Sequence, residues 1–245
     1  AMAVRAYRAV GKHKIGLVVN LEPKYAASQS KDDLEATRRA DAYMNRQYLD
    51  PVFLGRYPEE LKDIFGEAWP EWPADDFRLI REPLDFLGVN YYTRNVTRHD
   101  ETAWPLKARP VRQKQSTYTE TGWEVFPQGL RDVLLWVKGR YGNPPVYVTE
   151  NGAAFYDPPT ADGEELADPL RVEYLRRHLR ALGEAIERGC NVRGYFAWSL
   201  LDNLEWSLGY SKRFGLVHVD FASQRRTPKA SARFYTSVIA AHGLH

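Results

Sequence analysis

Four short apolar runs in this chain end on polar or amphipathic side chains, and each leads into a long loop and then a helical pattern. The runs are Ile15–Asn20, Leu84–Tyr92, Val146–Glu150 and Val192–Leu200. They are too short for helices and read as buried strands. Their tips carry Asn20, then Asn90-Tyr91-Tyr92, then Glu150-Asn151, then Trp198-Ser199. Strand, loop and helix repeated four times imply parallel strands with right-handed helical crossovers. A doubly wound sheet concentrates its site at one switch point. A (β/α)8 barrel recruits residues from the tips of several strands, which is the pattern here. A barrel needs eight strands, and open parallel edges are liabilities. The expectation is an α/β half-barrel of four parallel βα units, one unit over residues 1–245, completed by a separate half.

The helices are bounded by ordinary signals. Ala1–Val10 has Val4, Tyr7 and Val10 at helical spacing, with Gly11 suited to the position after the helix. Ser30 precedes a long helical pattern with Asp33 at the capping-box position, and Pro51 closes it. Short helices follow at Pro58–Phe65 and Asp75–Arg81. Pro127–Tyr141 places Leu130, Val133, Leu134 and Val137 on one face. A longer helix runs from about Asp168 to Arg188, and the last spans Pro228–Ala241, with Pro228 in its first turn. Residues 93–122 and Asp157–Ala167 are polar loops, the first with room for a hairpin, and Phe214–Asp220 adds a short strand.

Composition narrows the function. The net charge of +2 comes from 34 basic and 32 acidic side chains, well mixed along the chain. This excludes a nucleic-acid stripe or a polybasic membrane face. No apolar run approaches the ~20 residues of a membrane span, and Ala1–Gly11 lacks the apolar core of a signal peptide. The single Cys190 rules out an internal disulfide and fits a reducing, cytoplasmic setting. The aromatic content, 13%, is the unusual number. It suits a cleft that stacks on flat, partly apolar ligands such as sugar rings.

Within Val146–Gly152 the strand ends on a carboxylate, Glu150, before the turn at Asn151-Gly152. Burying a charge is costly unless it is paired or used. Taken alone, Glu150 is equally a loop cap or an arginine partner. The six histidines show no metal-ligand spacing, and Asp32-Asp33 and Asp75-Asp76 read as helix N-terminal charges.

Further along, Gly194-Tyr195-Phe196-Ala197-Trp198-Ser199-Leu200-Leu201-Asp202-Asn203-Leu204-Glu205-Trp206 and then Gly209–Leu216 resemble the C-terminal signature of family 1 glycoside hydrolases. Thr149-Glu150-Asn151-Gly152 is similar to that family's nucleophile motif. Gly88-Val89-Asn90-Tyr91-Tyr92 resembles the end of its sixth strand, Ile15–Asn20 the end of its fifth, and Arg226-x-x-Lys229-x-Ser231 its last helix. The resemblance spans essentially the whole chain and corresponds to strands five to eight, the C-terminal half of a (β/α)8 TIM barrel.

The resemblance implies a retaining β-glycosidase, β-glucosidase-like, working by double displacement with two carboxyl groups. Glu150 matches the nucleophile and Tyr92 the tyrosine that donates a hydrogen bond to it. Asn20 and Asn90 match polar positions nearby. Glu205 matches the acceptor for the sugar's outer hydroxyls, and Trp198, Trp206 and Phe214 the aromatic walls. The residues alone also allow plainer roles: Asn90 and Tyr92 as strand-end hydrogen bonders, Trp206 and Phe214 as core. Trp69, Trp72, Trp104 and Trp123 are assigned mainly to packing or loop anchoring, with aglycone contact as the minor alternative.

The chain departs from the family by lacking the Thr-x-Asn-Glu-Pro acid/base motif, the N-terminal glutamine and the His-Trp pair. Glu22-Pro23 follows the fifth strand and is no substitute. The expected partners are therefore an N-terminal half carrying the acid/base and a β-glucoside substrate, with no cofactor, metal, nucleic acid or membrane. The competing reading is a non-catalytic half-barrel that self-associates and keeps weak sugar affinity. A doubly wound α/β enzyme is a third, but no Gly-rich phosphate loop supports it.

Overall fold

The computed structural model describes residues 1–158, 161 and 163–244. Pro159, Thr160 and Asp162 of the loop predicted over Asp157–Ala167, and His245, lie outside the described residues. In chain order the elements are α1 (Met2–Val10), β1 (Gly16–Asn20), β2 (Lys24–Ala26), α2 (Lys31–Asp41), α3 (Gln47–Leu54), α4 (Glu59–Phe65) and α5 (Ala74–Ile80). Then come β3 (Phe86–Asn90), β4 (Asn95–His99), β5 (Ala108–Pro110), α6 (Pro127–Tyr141) and β6 (Val146–Asn151). The chain closes with α7 (Pro169–Glu187), β7 (Val192–Ala197), β8 (Val217–Val219), β9 (Arg226–Pro228) and α8 (Ala230–Ala241).

The four predicted strands form one parallel sheet in the order β1-β3-β6-β7. Alternation divides each strand between two faces. On the outer face, Leu87, Val89, Val146 and Val148 are buried against Leu130, Val133, Leu134 and Val137 of α6 and against Leu182 and Ala185 of α7. The inner face has no such cover. Val18 is 48% and Phe196 56% exposed, and Phe86 packs edge-on against Tyr147 with ring centroids 5.2 Å apart. Among the described residues β1 and β7 each pair on one side only. The architecture is thus an open parallel α/β sheet with helices on one face and an apolar second face in water.

The local signals work as physics requires, with two exceptions. Ser30 Oγ accepts from the Asp33 N–H at 3.2 Å and starts α2. The Asp33 carboxylate turns outward from the helix end, accepting from the His99 N–H at 2.7 Å and the Ser28 hydroxyl at 2.6 Å, so α2 is tied to β4. Gly142, at φ 75°, ends α6 in the left-handed conformation. Pro51, however, does not end the helix. The chain passes through a wide π turn at Ala42–Arg46 and continues through Pro51 to Leu54, where Gly55 at φ 71° terminates it. Leu49, Asp50 and Pro51 are buried there, and that packing outweighs the ~3 kcal/mol cost of proline in a helix. Pro228 lies in β9 instead of the first turn of α8, because residues 226–228 pair antiparallel with β8. The hairpin within residues 93–122 is β4–β5, and β2 joins it as a third strand.

Candidate active site

Strand register assembles the site. Asn20 lies opposite Asn90 across β1 and β3, and Asn90 lies opposite Glu150 across β3 and β6. The ladder slips at Val89/Asn90, which advances the tip of β6 by one residue. On the other flank β6 approaches β7 so closely that a Cβ on Gly152 would fall 1.7 Å from the Trp198 carbonyl oxygen. Only glycine fits there, and this contact brings the Trp198 tip beside Glu150.

Glu150 is held from two directions. The Tyr92 hydroxyl donates to Glu150 Oε2 at 2.5 Å. Burial, and then the carboxylate itself, push the Tyr92 phenol well above its ordinary pKa, so it remains a donor. Behind it, the Tyr92 ring packs on Trp123 at 4.9 Å and meets Phe214 edge-on at 6.3 Å. Next along the strand, the fully buried Asn151 donates to the Tyr91 carbonyl at 2.8 Å and to the Tyr174 hydroxyl at 3.0 Å, and accepts from the Tyr195 hydroxyl at 2.7 Å. That network fixes the backbone that carries the carboxylate. Asn90 Oδ1 accepts from the Thr149 hydroxyl at 2.7 Å, which leaves its N–H2 group without a protein partner among the described residues.

The β7 tip supplies the remainder through a pinned loop. Asp202 Oδ1 accepts from the Gly215 N–H at 2.9 Å and from Lys229 Nζ at 2.9 Å, and Oδ2 accepts from Arg213 at 2.8 Å. Burial would raise this carboxyl, but Lys229 and Arg213 outweigh it and hold it below its ordinary range. Lys229 also reaches Asp157 at 2.6 Å, and Arg171 bridges Asp157 and Asp168. Glu205 projects from this loop. Its carboxyl is raised by desolvation and then by the charge of Glu150, the signature of two acids sharing one site.

All eight residues singled out from the sequence line one cleft of about 550 Å³: Asn20, Asn90, Tyr92, Glu150, Trp198, Glu205, Trp206 and Phe214. Their settings differ. Phe214 is 3% exposed and backs Tyr92, whereas Trp206 is 86% exposed and stands at the rim. The cleft also takes in Glu22 and Trp123. Trp123 packs as expected, on Tyr92 and on Phe214 at 6.1 Å, and it also lines the cleft, where a short ribbon with Tyr118 paired to Glu124 holds it. The Gly122-Trp123 turn was the available signal. Glu22 carries an ion pair to Lys24 and its backbone N–H donates to Asn45. Trp69 and Trp72 do pack, around Tyr57.

Flat rings beside carboxylates and amides, at the C-terminal tips of parallel strands, define an α/β protein with a saccharide-type cleft. The chain belongs to glycosyl hydrolase family 1, whose profile matches residues 1–244. It is 41% identical to β-glucosidase A of Thermotoga maritima over all of this chain and 54% of that protein. It is 42% identical to thermostable β-glucosidase B of Thermobispora bispora over 97% of this chain and 50% of that one. The solved family 1 β-glucosidase from Thermotoga maritima superposes with a TM-score of 0.93 at 40% identity, covering 99% of this chain and 55% of that one. A β-glucosidase from the same organism is solved in complex with deoxynojirimycin, at a TM-score of 0.93. The chain thus spans about half the length of the curated relatives it matches.

Proposed function

We propose that this chain is the C-terminal half of a retaining β-glucosidase, strands five to eight of its barrel, and that a separate N-terminal half carries the acid/base. One observation carries the reading: Tyr92 donates to Glu150 at 2.5 Å inside a cleft walled by Trp198 and bordered by Glu205. Glu150 attacks the anomeric carbon as the partner half's acid protonates the leaving oxygen. Water, deprotonated by the same group, then releases the sugar from Glu150. Glu205 accepts hydrogen bonds from the sugar's outer hydroxyls, and Asn20 and Asn90 supply donors around the reacting ring. The exposed inner face with Val18 and Phe196 supports a second half, since burial there would remove apolar surface from water. The half-length match to the relatives supports it too. We read the 245 residues as a single unit working in a reducing, cytoplasmic setting.

The test pairs this chain with the N-terminal half of the barrel and follows a chromogenic β-glucoside. Hydrolysis is expected from the pair only. Strong turnover by the lone chain would remove the need for a second half. A 2-deoxy-2-fluoroglucoside inactivator should label Glu150 in the pair, and a label on any other residue overturns the nucleophile assignment. Light scattering separates the other reading, because a stable homodimer without the N-terminal half favours a self-associating, non-catalytic half-barrel.

A further inference from the structure

A second cavity adjoins the cleft at Trp123. This chamber, of about 300 Å³, shares Glu22, Thr93 and Trp123 with the cleft as a common wall. The far side of the chamber is built by Arg94, Val96, Val111, Arg112, Tyr118 and Glu124. Its walls are ordered by short-range structure. The 117–125 ribbon is closed by the Thr119 N–H to Trp123 carbonyl bond at 2.9 Å and the Val125 N–H to Thr117 carbonyl bond at 2.9 Å. One ribbon therefore presents Trp123 to the cleft and Tyr118 with Glu124 to the chamber.

Two glutamates and two arginines line the chamber, and ion pairing leaves one of the four without a counter-charge. Arg94 is committed to Glu124 by two bonds of 2.9 Å, and its guanidinium lies 3.6 Å from the centre of the Phe126 ring. Glu22 is committed to Lys24. Arg112 has no carboxylate partner among the described residues. Its guanidinium lies 3.6 Å above the Tyr118 ring, and that ring is itself fixed by the Tyr118 hydroxyl, which accepts from the Gln113 N–H at 2.7 Å and donates to the Gln113 carbonyl at 3.1 Å. A guanidinium stacked on an aromatic ring is pre-oriented, and its remaining N–H groups form a fork that matches a carboxylate. The apolar Val96 and Val111 complete a slot for a flat hydrocarbon body.

We propose that this chamber binds the far end of an aryl aglycone that carries a carboxylate, with Arg112 as its anion receptor. The proposal rests on the hydrolase reading for its substrate, but binding in the chamber needs no turnover. The chamber is tested by titrating 4′-hydroxybiphenyl-4-carboxylate and neutral 4-hydroxybiphenyl into the chain by calorimetry. The carboxylate should bind more tightly, and Arg112→Ala should weaken it about tenfold while leaving the neutral probe unchanged, the size expected for one charged hydrogen-bonding partner. Arg112 is exposed, so the variant should keep the wild-type circular dichroism spectrum. Equal binding of the two probes, or no effect of Arg112→Ala, overturns the proposal. In the assembled barrel, the KM for the 4′-carboxybiphenyl-4-yl β-glucoside should rise about tenfold in Arg112→Ala, with kcat and p-nitrophenyl β-glucoside turnover unchanged. An inactive barrel that still binds the carboxylate probe through Arg112 supports the chamber and defeats the hydrolase reading. An active barrel indifferent to Arg112 does the reverse.

Discussion

The ammonium of Lys229 lies 2.9 Å from Asp202 Oδ1, and both side chains are completely buried. Lys229 precedes α8, while Asp202 sits in the loop that carries Glu205 and Trp206. The pair therefore locks the outer wall of the cleft to the last helix.

Lys229→Met would leave Asp202 and Asp157 buried around an apolar group. Removing one partner of a buried ion pair costs about 3–5 kcal/mol. Urea unfolding of the variant should show a loss of that order, and an unchanged midpoint would contradict the network's role.

Tyr92→Phe removes one charge-stabilising bond from Glu150 without changing the ring packing on Trp123 and Phe214. In the two-half barrel proposed above, kcat/KM should fall about 10–100-fold, the size of a hydrogen bond to a charged group. An unchanged kcat/KM would count against the Tyr92–Glu150 bond as part of the reacting site.

His178 is fully buried, with Nδ1 2.8 Å from the Tyr174 carbonyl, and its Nε2 has no partner among the described residues. Burial, the largest cause, lowers its pKa from 6.5 to about 3. A histidine that titrates lower when folded is protonated first in the unfolded chain. Its contribution is therefore fully present above about pH 6.5 and declines between 6.5 and 3. Between pH 7 and 4.5 the wild type should lose about 2–3 kcal/mol more than His178→Leu, as measured by urea unfolding at each pH. Parallel losses in the two proteins would rule out the assignment.

Gly152→Ala should be among the most damaging single-methyl substitutions in the chain. The added carbon meets the Trp198 carbonyl, which belongs to backbone and cannot swing aside. A loss of about 3 kcal/mol or more, read from the thermal midpoint or from soluble yield, is expected. Tolerance of alanine would mean the β6–β7 tips are less closely apposed than described.

The sheet was legible in the sequence because each buried strand is a short apolar run with a polar tip, and register then brings those tips together. Glu150 and Tyr92 could be paired in advance only through the motifs that carry them, since 58 residues separate them. For Trp123 the packing role was legible but its place in the cleft was not, because residues 111–126 have no helical or strand period. Its direction is set by a ribbon whose pairing, Tyr118 to Glu124, is visible only in three dimensions. Pro51 and Pro228 misled for one reason: local punctuation was overruled by burial at the first and by antiparallel pairing with β8 at the second. Glu22 was set aside only as a stand-in for the acid/base; that it lines the cleft shows first in the structure, where the loop after β1 bends over the strand tips.

The sheet order β1-β3-β6-β7 also runs in the order of synthesis. Each strand after β1, as it leaves the ribosome, finds its sheet neighbour already made, and α6 and α7 are made alongside to cover the side they face. Growth from the amino end thus requires no waiting for a distant segment and no rearrangement of earlier pairs. Among the described residues the outer flanks of β1 and β7 stay unpaired, so the order of synthesis builds this sheet from the inside of the series without closing it.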